Sequence, residues 1–312
     1  MVDFGIVVWK TLDLQHYTYE VIKRLAIEGE RLGFEYFGLA DHFQALTDRE
    51  YYYECYTTLS AIAALTERIR LGPLVTCVSY RAPSLVAKMA STLDVVSGGR
   101  LEFALGAGWD VAEYTAYGFP FPPASERVEQ VEEALQIIRR MWTEAETSFE
   151  GKHFTVEKAV NEPKPFQRPH PRVWLGARHS NMLRLTAEYA DGWNIDTAFT
   201  PTIFKRKLTI LTECCKGIGR DVSQIRKSIA NEVIIAETEA EVNAIVRGYS
   251  ARFNIKPEDC IAHRIAGTPE QITAKLQKYV NLGVDLVICH FIGGHTLKPI
   301  ELFSEKVMPN IS

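Results

Sequence analysis

No stretch of this sequence approaches the roughly 18 consecutive apolar residues that a membrane-spanning helix requires, and no block of lysine and arginine occurs in it. The formal charge is −4 at pH 7 and the pI is near 6.1. A nucleic-acid partner would call for clustered cations, so neither nucleic acid nor membrane is expected as a partner. The first residues, MVDFGIVVWK, lack a basic region ahead of their apolar run and do not read as a signal peptide. The six cysteines (Cys55, Cys77, Cys214, Cys215, Cys260, Cys289) include no CxxC pair. Cys77 and Cys289 lie in or beside apolar strand-like runs, where a thiol packs as a small hydrophobe. Reduced thiols and a cytoplasmic setting are therefore expected.

Catalytic signatures are also missing. The histidines show no HxH, HxxxH or HExxH spacing, and the carboxylates do not gather at strand ends, so no metal is expected and a metal hydrolase is the weaker enzyme reading. There is no GxSxG nucleophile motif. No GxGxxG follows the first apolar strand, which argues against an open dinucleotide-binding sheet.

What the chain does contain is strands alternating with helices from end to end. Apolar content of 46% against 24% charged residues suits a large buried core. Strands are expected at Asp3 to Val8, Glu35 to Ala40, Arg70 to Val78, Arg100 to Leu105, Arg172 to Leu175, Gly192 to Ile195, Ser228 to Ala236 and Val284 to His290. Ile261 to Ala266 reads as a short extra strand. Helical periodicity separates them, for example from Thr18 to Leu32, from Cys55 to Arg68, from Pro83 to Val96 and from Glu126 to Trp142. Eight such units without a linker predict one domain over residues 1–312, a (β/α)₈ TIM barrel. An open doubly wound sheet is the competitor. Residues 144–170 interrupt the alternation. Ser148 to Val156 reads as a hairpin, and four prolines force an extended crossing from Asn161 to Pro171. This insertion before strand five is read as a lid or an oligomer contact.

A barrel carries its site at the C-terminal ends of its strands. Strand two ends in Asp41-His42, whose side chains point to opposite faces and so do not form a dyad with each other. His42 suits a place over a bound ring, although Asp41 as a turn cap and His42 as a structural residue fit the same pattern. Strand four empties into Gly106-Ala107-Gly108-Trp109. Strand five ends in Gly176-Ala177-Arg178-His179-Ser180 at a helix start, where free N–H groups could hold a phosphate; a plain turn would use the same residues. Strand six delivers Asn194-Ile195-Asp196, and strand eight His290.

Eight pieces in order then match a known family. They are LGFEYFGLADHF (32–43), IRLGPLVTCVSYRAPSLVAKMASTLDVVSGGRLEFALGAGW (69–109), EYTAYGFPF (113–121), ERVEQVEEALQIIRRMW (126–142), FEGKHF (149–154), NEPKPFQRPHPRVWLGA (161–177), LRLTAEYADGWN (183–194) and GTPEQI (267–272). Over nearly its whole length the sequence resembles the luciferase-like superfamily of flavin- and deazaflavin-dependent oxidoreductases, in particular the coenzyme F420-dependent branch. The resemblance implies a luciferase-like barrel with F420, or alternatively FMN, at its mouth. It implies a non-prolyl cis peptide at Leu74–Val75 under the ring, with Asp41, Leu74, Val75, Thr76, Ala107 and Gly108 around the cofactor. Gly176, Ala177, Arg178, His179 and Ser180 would take the phosphate, and His42 would carry a proton as the catalytic residue. Where sugar-phosphate dehydrogenases of the superfamily have an acid, this chain has Trp109. That substrate is therefore not expected, and Trp109 with Tyr52 is read as substrate-pocket wall, or Trp109 as core. A coenzyme F420-dependent oxidoreductase acting on a small-molecule substrate follows, as a homodimer. The alternatives are an FMN-dependent monooxygenase fed by a flavin reductase, and a non-catalytic flavin-binding barrel.

Overall fold

The computed structural model describes residues 2–9, 18–44, 52–195 and 200–311. The apolar run Asp3–Val8 forms β1, and α1 (Tyr19–Arg31) stops just before Gly33, which takes φ +86°, a left-handed geometry that glycine adopts freely. β2 (Tyr36–Leu39) precedes α2 (Cys55–Ala63), whose first turn is capped by the Glu54 carboxylate. β3 (Arg70–Pro73) and β4 (Thr76–Cys77) come before α3 (Pro83–Val96), which opens on proline, where a missing N–H does no harm. β5 (Glu102–Gly106) is followed by the short α4 (Val111–Ala116) and the long α5 (Ala124–Thr143). The hairpin of β6 (Thr147–Glu150) and β7 (Thr155–Ala159) leads to β8 (Arg172–Gly176), α6 (Ser180–Tyr189) and β9 (Gly192–Ile195). After α7 (Pro201–Gly217) come β10 (Arg226–Ile235), α8 (Glu239–Phe253), α9 (Pro257–His263) and β11 (Ile265–Gly267). α10 (Pro269–Val280), β12 (Leu286–Phe291) and α11 (Lys298–Lys306) complete the order.

The strands run side by side as β3-β2-β1-β12-β10-β9-β8-β5-β4, with every neighbouring pair parallel. The expected third strand closes the ring. Its first half, β3, pairs with β2 and its second half, β4, pairs with β5, with a further bridge between Leu71 and Leu101. This is an α/β barrel of the TIM type, and the open-sheet competitor is set aside. Alternation along each strand divides the side chains. Val7, Tyr36, Ala104, Trp174, Ala230, Leu286 and Ile288 fill the inside, whereas Phe4, Ile6, Phe37, Phe103, Leu175 and Trp193 face the helices. Charges close the end where the strands begin. Glu102 accepts from Arg70, Arg172 and the Trp174 indole, and Arg226 meets Asp3 at 2.6 Å.

Several expectations change. The strand foreseen from Arg70 to Val78 is interrupted at Leu74–Val75, where the peptide bond is cis. The helix foreseen to Arg68 ends at Ala63, and the N–H groups of Arg68 and Ile69 turn to the Glu30 carboxylate. Ile261 lies in α9, started by Pro257 with Glu258 and Asp259 in its first turn, so only Ile265–Gly267 is strand. α4 and α11 were not foreseen. The 144–170 insertion does not sit as a lid. Glu133 of α5 accepts the N–H groups of Lys152, His153 and Phe154; Asn161 donates to Ser91, and Gln167 bonds Asp94 and the Leu101 carbonyl. These bonds strap it to the flanks of α5 and α3 and to the barrel's base.

Gly72 is the tightest seam. A Cβ there would lie 2.1 Å from the Glu102 carbonyl oxygen, between backbones that cannot part without opening the ring. Gly72→Ala is expected to cost about 2–3 kcal/mol, read as a lower midpoint in urea unfolding.

Candidate active site

The inward series on β2 that begins at Tyr36 ends at His42, and the outward series ends at Asp41. Asp41 is buried, and both its oxygens accept from Arg81, at 2.8 and 2.9 Å. Oδ2 also takes the Cys77 N–H at 2.9 Å. Arg81 continues to Glu54 Oε1 at 2.7 Å, with the rings of Phe43 and Tyr56 each 5.4 Å from its guanidinium carbon. This network pins the end of β2 to β4 and to the start of α2.

His42 Nδ1 lies 2.7 Å from Oε2 of Glu113, a fully buried residue of α4. The same carboxylate accepts the Tyr80 hydroxyl and the N–H groups of Phe43 and Gln44. Burial alone would raise the Glu113 pKa. Hydrogen bonds from His42, Tyr80 and the Phe43 N–H outweigh it and hold the carboxyl below its ordinary value. An ionised carboxylate only accepts, so the proton is assigned to Nδ1 and Nε2 is the nitrogen left to exchange one with a ligand. The ring is 21% exposed. Tyr52 and Trp109 pack against it, with centroids 5.2 and 5.7 Å away. Trp109 is 61% exposed, so it is not core.

Beside His42 the strand ends Gly106 and Gly176 carry no side chain of their own. A Cβ there would come within 2.7 or 3.2 Å of a Val75 methyl, so the two glycines make the room that Val75 takes up in a shelf at Leu74–Val75. Thr76 is buried, its hydroxyl 2.8 Å from that of Tyr56. The Ala107 carbonyl accepts Arg127 Nε at 3.1 Å, and Gly108 turns with φ +71°. Ala177 is buried, bonded through its N–H to Asn194 and through its carbonyl to the Trp193 indole. Arg178, His179 and Ser180 are exposed where the ten-residue α6 begins, and His179 makes no side-chain cap there. The first N–H groups of α6 are thus not met by the cap residue and suit an anion. A shelf at one end and an uncapped helix start at the other fit a planar ring carrying a phosphate chain.

The model of the luciferase-like monooxygenase family matches residues 2–264. The chain belongs to this family. Among family relatives it is 25% identical to an FMNH(2)-dependent dimethylsulfone monooxygenase of Pseudomonas putida, over 99% of this chain and 92% of that one. It is 24% identical to an F420-dependent glucose-6-phosphate dehydrogenase of Microbacterium testaceum, over 90% of each. The coenzyme F420-dependent tetrahydromethanopterin reductase of Methanopyrus kandleri has a similar fold, with a TM-score of 0.83 at 23% identity, over 100% of this chain and 99% of that one. The family is one of oxidoreductases and monooxygenases with flavin-type cofactors, F420 in some members and FMN in others.

Luciferase-like membership directs attention to the mouth, yet three residues that build it went unassigned in the sequence. Glu113, Tyr80 and Arg81 lie in loops or in the unforeseen α4. The signal was Asp110-x-x-Glu113, the spacing of a helix start. Asp110 Oδ1 indeed accepts the N–H groups of Ala112 and Glu113. Tyr51 and Asp196 lie outside the described residues, and His290 is buried with Nδ1 3.1 Å from the Val7 carbonyl oxygen. His42, Asp110 and Glu113 together offer one metal-type ligand atom each within 4.8 Å of one another. A cation there would have to compete with the donors that Glu113 already holds on both its oxygens.

Glu113→Gln tests the pair. Because its carboxyl is held below the ordinary range, Glu113 stabilises the fold fully above pH ~4.5, and that contribution is lost as pH falls further. The variant should melt lower than the parent at pH 7 and converge on it as the pH is lowered, as thermal unfolding at several pH values will record. A constant difference across pH would remove the ionised hub.

Proposed function

We propose that this chain is a coenzyme F420-dependent oxidoreductase moving a hydride between the deazaflavin and a small organic substrate, as a cytoplasmic homodimer. The observation that carries this reading is His42, a proton carrier of defined tautomer on buried Glu113, beside the shelf at Leu74–Val75. Leu74, Val75, Ala107 and Gly108 would hold the ring, and Gly176 to Ser180 the phosphate. Bound there, F420 would supply a hydride-transferring carbon and, unlike reduced flavin, would not activate oxygen. In the oxidative direction His42 Nε2 takes the proton of a substrate hydroxyl, and in the reductive direction it returns one. An imidazole suits both tasks because one ring nitrogen can take up a proton and return it. Glu113 fixes the ring's orientation and stabilises the imidazolium that forms when the base is loaded. Trp109 stands where sugar-phosphate dehydrogenases carry an acid, which turns the reading away from that substrate.

A second reading, an FMN-dependent monooxygenase supplied by a separate flavin reductase, draws on the likeness to the dimethylsulfone enzyme. The shelf and the α6 start would serve its cofactor equally. A third, a non-catalytic flavin-binding barrel, needs no role for the His42–Glu113 pair.

Paired titrations of the apoprotein with F420 and with FMN, followed by ligand fluorescence, separate these readings. Tight F420 binding with weak FMN binding is expected, and the reverse order would overturn the proposal in favour of the monooxygenase. His42→Ala should then lower turnover by about 10²- to 10⁴-fold while leaving the F420 dissociation constant unchanged. Unchanged turnover would end the catalytic role of His42.

A further inference from the structure

The wall around His42 narrows the substrate class. Trp109 and Tyr52 pack against the imidazole, and Trp109 is 61% exposed. Val111, two residues further on at the start of α4, is 53% exposed. Large apolar side chains held open beside the one nitrogen that can exchange a proton make an apolar rim around a polar point, the usual build of a small-molecule site.

Among the described residues, the charged groups of this wall are matched within the protein. Arg81 is held by Asp41 and Glu54. Glu113 has its four donors, and Asp110 caps α4. Arg127 donates to the carbonyls of Ala107 and Pro122, with its guanidinium 4.0 Å from the Phe121 ring. An anionic substrate reaching His42 along these residues would lose water without gaining a cation among them. An uncharged aromatic or cycloaliphatic group would gain ring contacts with Trp109 and Tyr52.

Building on the F420 reading, we infer that the substrate is an uncharged alcohol, or the matching carbonyl compound, carrying a flat apolar ring next to the reacting carbon. The ring lies against Trp109 and Tyr52 while the oxygen meets His42 Nε2. With F420 bound, the carbinol C–H bond would break in the oxidative direction and its electron pair would leave with the hydrogen as hydride, which the deazaflavin would accept. The O–H proton passes to Nε2, and the C=O bond forms. The carbonyl compound is reduced by the reverse of each step.

The test reads binding without turnover, so it stands apart from the cofactor titrations. Acetophenone and glucose 6-phosphate are titrated into the protein, with and without whichever cofactor it binds, and followed by saturation-transfer NMR and calorimetry. Acetophenone should bind saturably and glucose 6-phosphate should not. Trp109→Ala, at an exposed position, should raise the acetophenone dissociation constant about tenfold, with cofactor affinity and circular dichroism as in the parent. Trp109→Phe should recover most of the loss. Tighter binding of glucose 6-phosphate, no saturable binding of acetophenone, or an unchanged constant in Trp109→Ala would each overturn the inference. Failure of F420 to bind would instead strike the cofactor reading and leave the ligand preference measurable.

Discussion

A single buried carboxylate organises the mouth of this barrel. Glu113 comes from α4, yet its donors come from the segment after β2 (His42, Phe43, Gln44) and from the loop after β4 (Tyr80). A charge taken out of water is tolerated only when its lone pairs are met, and removing one partner leaves the rest of the desolvation uncompensated. The three segments therefore hold one another in place. The same carboxylate decides which nitrogen of His42 carries a proton, so one constraint serves both the shape of the site and its chemistry.

The barrel makes that arrangement affordable by separating firmness from function along its axis. Where the strands begin, Glu102, Arg70 and Arg172 form a charged plug, and Tyr36 and Trp174 fill the space above it. Gly72 lets two backbones touch, completing the ring through the interrupted third strand. Where the strands end, Gly106 and Gly176 make room for the Val75 side chain. The insertion follows the same division. With Glu133 gripping its hairpin tip and Gln167 its prolyl crossing, it braces the base and flanks and leaves the mouth to shorter loops.

Much of this was legible in the sequence, and the gaps have physical causes. Buried parallel strands are continuous apolar runs, and proline and glycine mark the helix ends, so the eight staves and their order could be read directly. The outward turn of Asp41 and inward turn of His42 follow from the period of two alone. The place of the cis peptide came from family resemblance, and composition holds no trace of it. What stayed hidden was long-range pairing. Glu113 and His42 are 71 residues apart, and Arg81 and Asp41 are 40 apart. A six-residue helix such as α4 also offers too few turns for periodicity to register. The stretch from Ile261 is apolar, but the Pro257-Glu258-Asp259 helix start carries it into α9.

The chemistry of the mouth is uneven, and this bears on its direction of use. At the α6 start the first backbone N–H groups favour negative charge; around His42 the cations of the described residues named above are matched and the exposed surface is aromatic. On the proposed reading, a ligand carrying a phosphate and a planar ring would enter with its phosphate at Ser180 and its ring at Val75, which would leave the side facing Trp109 for a second molecule. A base beside that second molecule can take up or return a proton. Interconverting an alcohol and a carbonyl compound requires one, because a proton must leave or arrive with each hydride. On the proposed reading as a dehydrogenase or reductase, the buried carboxylate that orients His42 would serve that proton transfer.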